Sequence, residues 1–312
     1  GVAESDFVVA SGSQIYALPL YLDTLALIYN RDIFDQEGVV SPPATWDDFV
    51  KIVPKLRIVN QSGQITRAAA AIGGSGNTIN NAADILSLLM MQNGARMTSD
   101  NFRLATFAYP VEERNPGLDA FNFYLQFSNA VSPYYTWNDS QVDSVDGFAS
   151  GKTAMILDYQ SAVAEIKDKS PFLNFAVALV PQPAGATLNV TYPRYYGLAV
   201  SKQSKYPDLA WDFVIYATTN ADAQKSYVGL SGHPPAQRPL IEQILADPVY
   251  GVFGRQALTA RSWLQVDAAA VGKIMSRAIT SVISGQVDSE RALRQAQDQV
   301  TQILSAASNS SN

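Results

Sequence analysis

Apolar and polar positions change their spacing several times along the chain, and each change marks an element. The run IYALPLYLDTLALIYN, from Ile15 to Asn30, is apolar but for one carboxylate, Asp23, and predicts a strand. A Gly and Pro turn follows. Thr45 with Asp48 then makes a capping-box-like start, and Trp46, Phe49, Val50 and Val53 keep helical spacing until Pro54 ends or kinks the helix. Ile85, Leu88, Leu89 and Gln92 predict a helix over about 81–93, stopped by Gly94, and Pro116 opens another carrying Leu118, Phe121 and Leu125.

Val142, Val145 and Phe148 form a short amphipathic pattern, Gly151 turns the chain, and 153–157 reads as a buried strand. Further apolar strands are expected at 175–180 and 196–200. Asp208, after Pro207, is expected to cap a helix with Leu209, Ala210, Phe213, Val214 and Ala217 at helical spacing. The last third reads as helix throughout. One stripe runs from Val271 through Met275 to Val282, a second from Ala292 through Ala296 to Ile303, and the polar tail from Ser305 is expected to fray. Strands separated by helices over the first two thirds indicate an α/β fold with a helical C-terminal third. The prolines near 181–183 and 233–235 are the expected crossings between lobes.

Composition narrows the function. At 312 residues, 47% hydrophobic and 16% charged, the chain can bury a large core and is neither disordered nor fibrous. A net charge of −6 with scattered Lys and Arg argues against a nucleic-acid partner. Without cysteine there is no disulfide, thiolate nucleophile or Cys-based metal site, and one histidine, His233, rules out a histidine metal cluster while leaving an all-carboxylate calcium site open. No apolar run has the length of a membrane span, and the N-terminal GVAESDFV has no signal core, so any export signal lies upstream or is absent.

Asp23 is costly to bury among Leu, Ile and Tyr unless a polar partner needs it, so it is either a site residue or a strand end in water. The loop Gly73-Gly74-Ser75-Gly76-Asn77 could cradle an anion or be a plain turn. Gly147-x-x-x-Gly151-Lys152-Thr153 is one residue short of a phosphate loop and lies helix-then-strand, the wrong order, so nucleotide binding is rejected. His233 has no nucleophile-elbow motif to serve and reads as structural.

Tyr16, Pro19, Asp23, Leu27, Tyr29 and Asn30, followed by Pro42, Pro43, Thr45 and Trp46, form a pattern that resembles the extracellular solute-binding proteins of ABC importers, the family of maltose-binding protein. Phe148, Gly151, Lys152, Ala154 and Met155 match a second segment of that family. The resemblance implies a two-lobed α/β fold of the periplasmic-binding-protein type II class, and a strand at Asp23 that crosses from one lobe to the other.

Because this block follows a large part of the first lobe in such proteins, the resemblance also implies an incomplete first lobe. Lobe 1 is expected at 1–21 and 183–232, and lobe 2 at 22–182 and 233–312. The expected function is capture of a small solute, a sugar or oligosaccharide, for delivery to ABC transporter permease subunits outside the cytoplasm. The expectation includes no catalysis, cofactor or metal, and contact with the membrane, if any, only through a lipid anchor upstream of this chain.

Family position and chemistry together give the expected ligand contacts: Asp23, Asn77, Asp158, Tyr159, Gln160, Tyr195, Tyr196 and Trp263. Flat aromatic rings pack on the C–H faces of a sugar, while carboxylates and amides accept from its hydroxyls. Two readings compete with this one: a carbohydrate hydrolase pairing Asp23 with Asp158 as acid and base, and a solute-binding receptor domain.

Overall fold

The long apolar segment near the start is two strands, divided at a single residue. In the computed structural model, which describes Val8–Val9 and residues 14–310, β3 (Leu18–Thr24) pairs antiparallel with β9 (Pro193–Leu198) in a two-stranded sheet. After the fully buried Leu25, β4 (Ala26–Asn30) becomes the middle strand of a separate three-stranded antiparallel sheet, between β7 (Met155–Asp158) and β8 (Phe175–Ala178). The crossing expected at Asp23 is therefore present. Its apolar character has a packing cause: β4 is flanked on both edges, and Ala26, Leu27 and Ile28 have no solvent exposure.

Two short hairpins complete the strands, β1 (Val8–Val9) with β2 (Gln14–Ile15) and β5 (Ile58–Val59) with β6 (Ile65–Arg67). Around the three-stranded sheet lie α1 (Arg31–Gln36), α2 (Trp46–Leu56), α3 (Ala82–Gln92), α4 (Pro116–Leu125), α5 (Ser144–Ala149) and α6 (Gln160–Lys169). Thr45 caps α2 by accepting from the Asp48 N–H at 3.1 Å and donating to its carboxylate at 2.8 Å. The helix continues to Leu56, so Pro54 sits inside its last turn and does not stop it at once. Gly151 turns the chain into β7 with φ +72°, a conformation that an L side chain rarely adopts.

The C-terminal third is helical, as predicted: α7 (Pro207–Thr219), α8 (Ala221–Ser231), α9 (Arg238–Ile244), α10 (Tyr250–Ala257), α11 (Ala268–Ile283) and α12 (Ser289–Ser310). Three details differ from expectation. Tyr206 precedes α7 without a side-chain cap and Asp208 lies in the first turn, because Pro207 has already taken the first helical position. The expected apolar face of α7 is split: Val214 is buried, whereas Leu209 and Phe213 are 69% and 64% exposed. The last helix runs through Ser305 to Ser310, so the polar tail remains helical over its described part.

One large hydrophobic cluster fills the space around the three-stranded sheet and extends to α11 and α12. A small second cluster, Leu22, Ile241 and Ala257, packs beneath the β3–β9 sheet with Tyr195 and Leu245 at its edge. Tyr227 and His233 both stack on Tyr21, and Leu22 N–H donates to Pro234 C=O at 3.2 Å, so residues on each side of position 232 rest on the same small sheet. Among the described residues no helix is long and apolar enough to cross a membrane.

Candidate functional site

Where β9 of the small sheet passes α3 and the start of α11, a cavity of about 1060 Å³ opens between the two bodies. Its walls include Asn81 just before α3, Asp84 and Ser87 from α3, Arg194 to Tyr196 from β9, and Arg261 and Trp263 from the loop before α11. Tyr195, Tyr196 and Trp263, three of the expected contacts, thus meet in one place.

The wall is organised around Arg194. Its Nε donates to Asp84 Oδ2 at 3.0 Å, Nη2 lies 2.7 Å from the same oxygen as an ion pair and donates to Asn81 Oδ1 at 2.8 Å, and the guanidinium carbon lies 4.2 Å from the centroid of the Tyr159 ring. Tyr159 Oη donates to the same Asp84 oxygen at 2.8 Å. A guanidinium held by two hydrogen-bond partners and a ring face is fixed in plane before any ligand arrives.

Behind this wall lie two buried carboxylates. Asp158 Oδ1 accepts from Asn81 Nδ2 and from the Tyr159 N–H, each at 2.7 Å. Asp23 Oδ1 accepts from the Thr24 N–H at 2.8 Å and the Gln160 N–H at 3.0 Å, so a strand of the small sheet caps the first turn of α6 on the other body. Burial pushes Asp158 up to about 7 and Asp23 up to about 6; the hydrogen bonds just named and the nearby Arg194 pull the other way without cancelling it. Gln160 adds a further tie by donating through Nε2 to Gly232 C=O.

The eight expected contacts therefore divide. Tyr196 is 44% exposed, and its ring stacks on Tyr21 at 4.3 Å, which stacks in turn on His233 at 4.1 Å. The result is a pile of three rings whose outermost member borders the cavity. Trp263 lines the cavity but is largely buried, with its indole N–H donating to Ser87 Oγ at 3.3 Å. Asp23, Asp158, Tyr159 and Gln160 hold the crossing together behind the wall.

Asn77 is exposed in the glycine-rich loop away from the cavity lining. That loop spends its N–H groups on the protein itself: Ser75 N–H donates to Asp139 at 3.3 Å, Gly76 N–H to Ser276 at 2.9 Å and Asn77 N–H to Ser75 at 3.2 Å. Three of the N–H groups that an anion cradle would use are thus already engaged.

The sequence reading missed Asn81, Asp84, Arg194 and Arg261. For Arg194 a signal was present: a lone charge in the extended aromatic stretch YPRYY implies a polar face on that strand. Asp84, in the first turn of a helix, is indistinguishable from an ordinary solvated position without the fold.

A sequence profile of the bacterial extracellular solute-binding proteins matches residues 2–224. A multiple sugar-binding protein of Streptococcus mutans is 25% identical over 73% of this chain and 53% of its own length. A maltotriose-binding protein of Pyrococcus abyssi is likewise 25% identical, over 77% and 48%. The chain thus spans about half the length of these curated relatives. The sugar-binding protein MalE from Xanthomonas citri superposes with a TM-score of 0.76 at 19% identity, covering 97% of this chain and 74% of that one, which shows the shared fold. With the profile spanning well over half of the residues and the crossing strand in place, the chain belongs to the bacterial extracellular solute-binding proteins.

Proposed function

We propose that this chain captures a sugar-like solute in the cavity beside β9, without transforming it, for hand-over to the membrane subunits of an ABC transporter outside the cytoplasm. The observation that carries the reading is the pile His233, Tyr21, Tyr196, whose outer ring borders a cavity that also carries amide, hydroxyl, guanidinium and carboxylate groups among apolar side chains. An aromatic face with a polar rim suits the C–H face and hydroxyl rim of a sugar. Relatives named for binding multiple sugars and maltotriose support the same solute class.

Hand-over requires that ligand alter the relation of the two bodies, and only a ligand held by both can shift that equilibrium. The cavity supplies such contacts: Arg194 and Tyr196 belong to the small sheet, and Asn81, Asp84 and Trp263 to the larger body. Paired-carboxylate hydrolysis gains no support, because Asp23 and Asp158 lie behind the wall, each with an oxygen already accepting two hydrogen bonds. Incubating the chain with maltotriose and with mannitol tests the reading. A saturable rise in melting temperature with the sugar recovered intact is expected, and release of shorter sugars would overturn it.

A further inference from the structure

We infer that the solute carries an acidic group, a carboxylate or a phosphate on a sugar-like body, received by Arg261 and the open edge of Arg194; this rests on the solute-binding reading above. The charged residues lining the cavity are Asp84, Arg96, Asp100, Arg194 and Arg261. Four of them neutralise one another: Arg194 pairs with Asp84 at 2.7 Å and Arg96 with Asp100 at 2.8 Å. Arg261 is left over. Its backbone N–H donates to Thr191 C=O at 2.9 Å, while its guanidinium makes no ion pair or hydrogen bond with a described residue.

Two physical points turn this remainder into a specificity. A neutral sugar is best met by carboxylates free to accept from its hydroxyls, yet each carboxylate on the wall is already held by an arginine. Closure over a neutral solute would also strip water from Arg261 and return nothing of opposite charge. The surplus cation stands in a chain whose net charge is −6, so it is not part of a generally basic surface.

Arg194 adds direction. Its Nε and Nη2 are engaged and its plane is set by Tyr159, while the side chain keeps 42% exposure and Nη1 has no partner among the described residues. Guanidinium groups suit oxyanions because their N–H donors match the spacing of two oxygens, and this is common to carboxylate and phosphate.

The test is calorimetric titration of the full chain at low ionic strength with two matched sets: a glucuronate-containing disaccharide against its neutral parent, and glucose 6-phosphate against glucose. At least one acid should bind about tenfold more tightly than its parent. The set that shows the preference identifies the acidic group. In Arg261→Gln the preference should fall toward parity while the melting temperature without ligand stays unchanged. Neutral parents binding as tightly as their acids, or a preference that survives in Arg261→Gln, would overturn this inference and leave the solute-binding reading standing. If neither acids nor parents bind, both fall.

Discussion

The guanidinium of Arg194 lies over the ring of Tyr159 at 4.2 Å, and both side chains donate to the same oxygen of Asp84. Tyr159 follows the end of β7 and Arg194 lies on β9, so this contact joins the two sheets beside the cavity that Arg194 lines.

Arg194→Ala should lower solute affinity by about tenfold or more, since it removes charge-assisted donors from the wall and leaves Asp84 without its cation. Arg194→Lys should recover little, because a point charge can neither span Asp84 and Asn81 together nor lie flat on Tyr159. Calorimetry on the two variants checks both statements.

Tyr196→Ala should weaken binding by about 1 kcal/mol, within the range measured for aromatic contacts, while Tyr196→Phe keeps most of the affinity. The ring is half open, so folding should change little; circular dichroism melts provide the control.

Stability should depend on pH through the two buried carboxylates. Asp23 and Asp158 have folded values of about 6 and about 7 against 3.8 ordinarily, so the folded chain binds these protons more tightly than the unfolded one. The destabilisation is absent below about 3.8, grows as pH rises toward 7 and is complete above it. Asp158→Asn retains the acceptor for Asn81 and Tyr159 and removes the charge. Relative to wild type, it should melt higher at pH 8, with the gap closing as pH falls toward 4.

Gly117→Ala should be severely destabilising, by about 3 kcal/mol or more, because a Cβ there would lie 1.8 Å from Phe107 C=O, which has no freedom to move aside. Urea unfolding of the purified variant checks this, and solute affinity of the folded fraction should be retained.

Most of the fold could be read in the sequence because its signals are local. Thr45 with Asp48, Pro116 and the stripe from Val271 to Val282 each mark a helix through neighbouring residues. α6 was not anticipated: QSAVAEIKDK is mostly polar, and its first turn is capped from a distant strand by Asp23. The site was legible only in part for the same reason. Aromatics beside loops pointed to Tyr195, Tyr196 and Trp263, whereas the role of Asp23 depends on a partner 137 positions away and that of Arg194 on partners at the start of α3. Burial of Asp23 was foreseen as needing a polar partner; that partner is the backbone of α6.

One solute is expected to bind at the wall shared by β9 and α3. The most direct test is a calorimetric titration of wild type and Arg194→Ala with the sugar that most raises the melting temperature of wild type. Wild type should show one saturable site per chain, and the variant a loss of about tenfold or more. Equal affinity in the two proteins would contradict it.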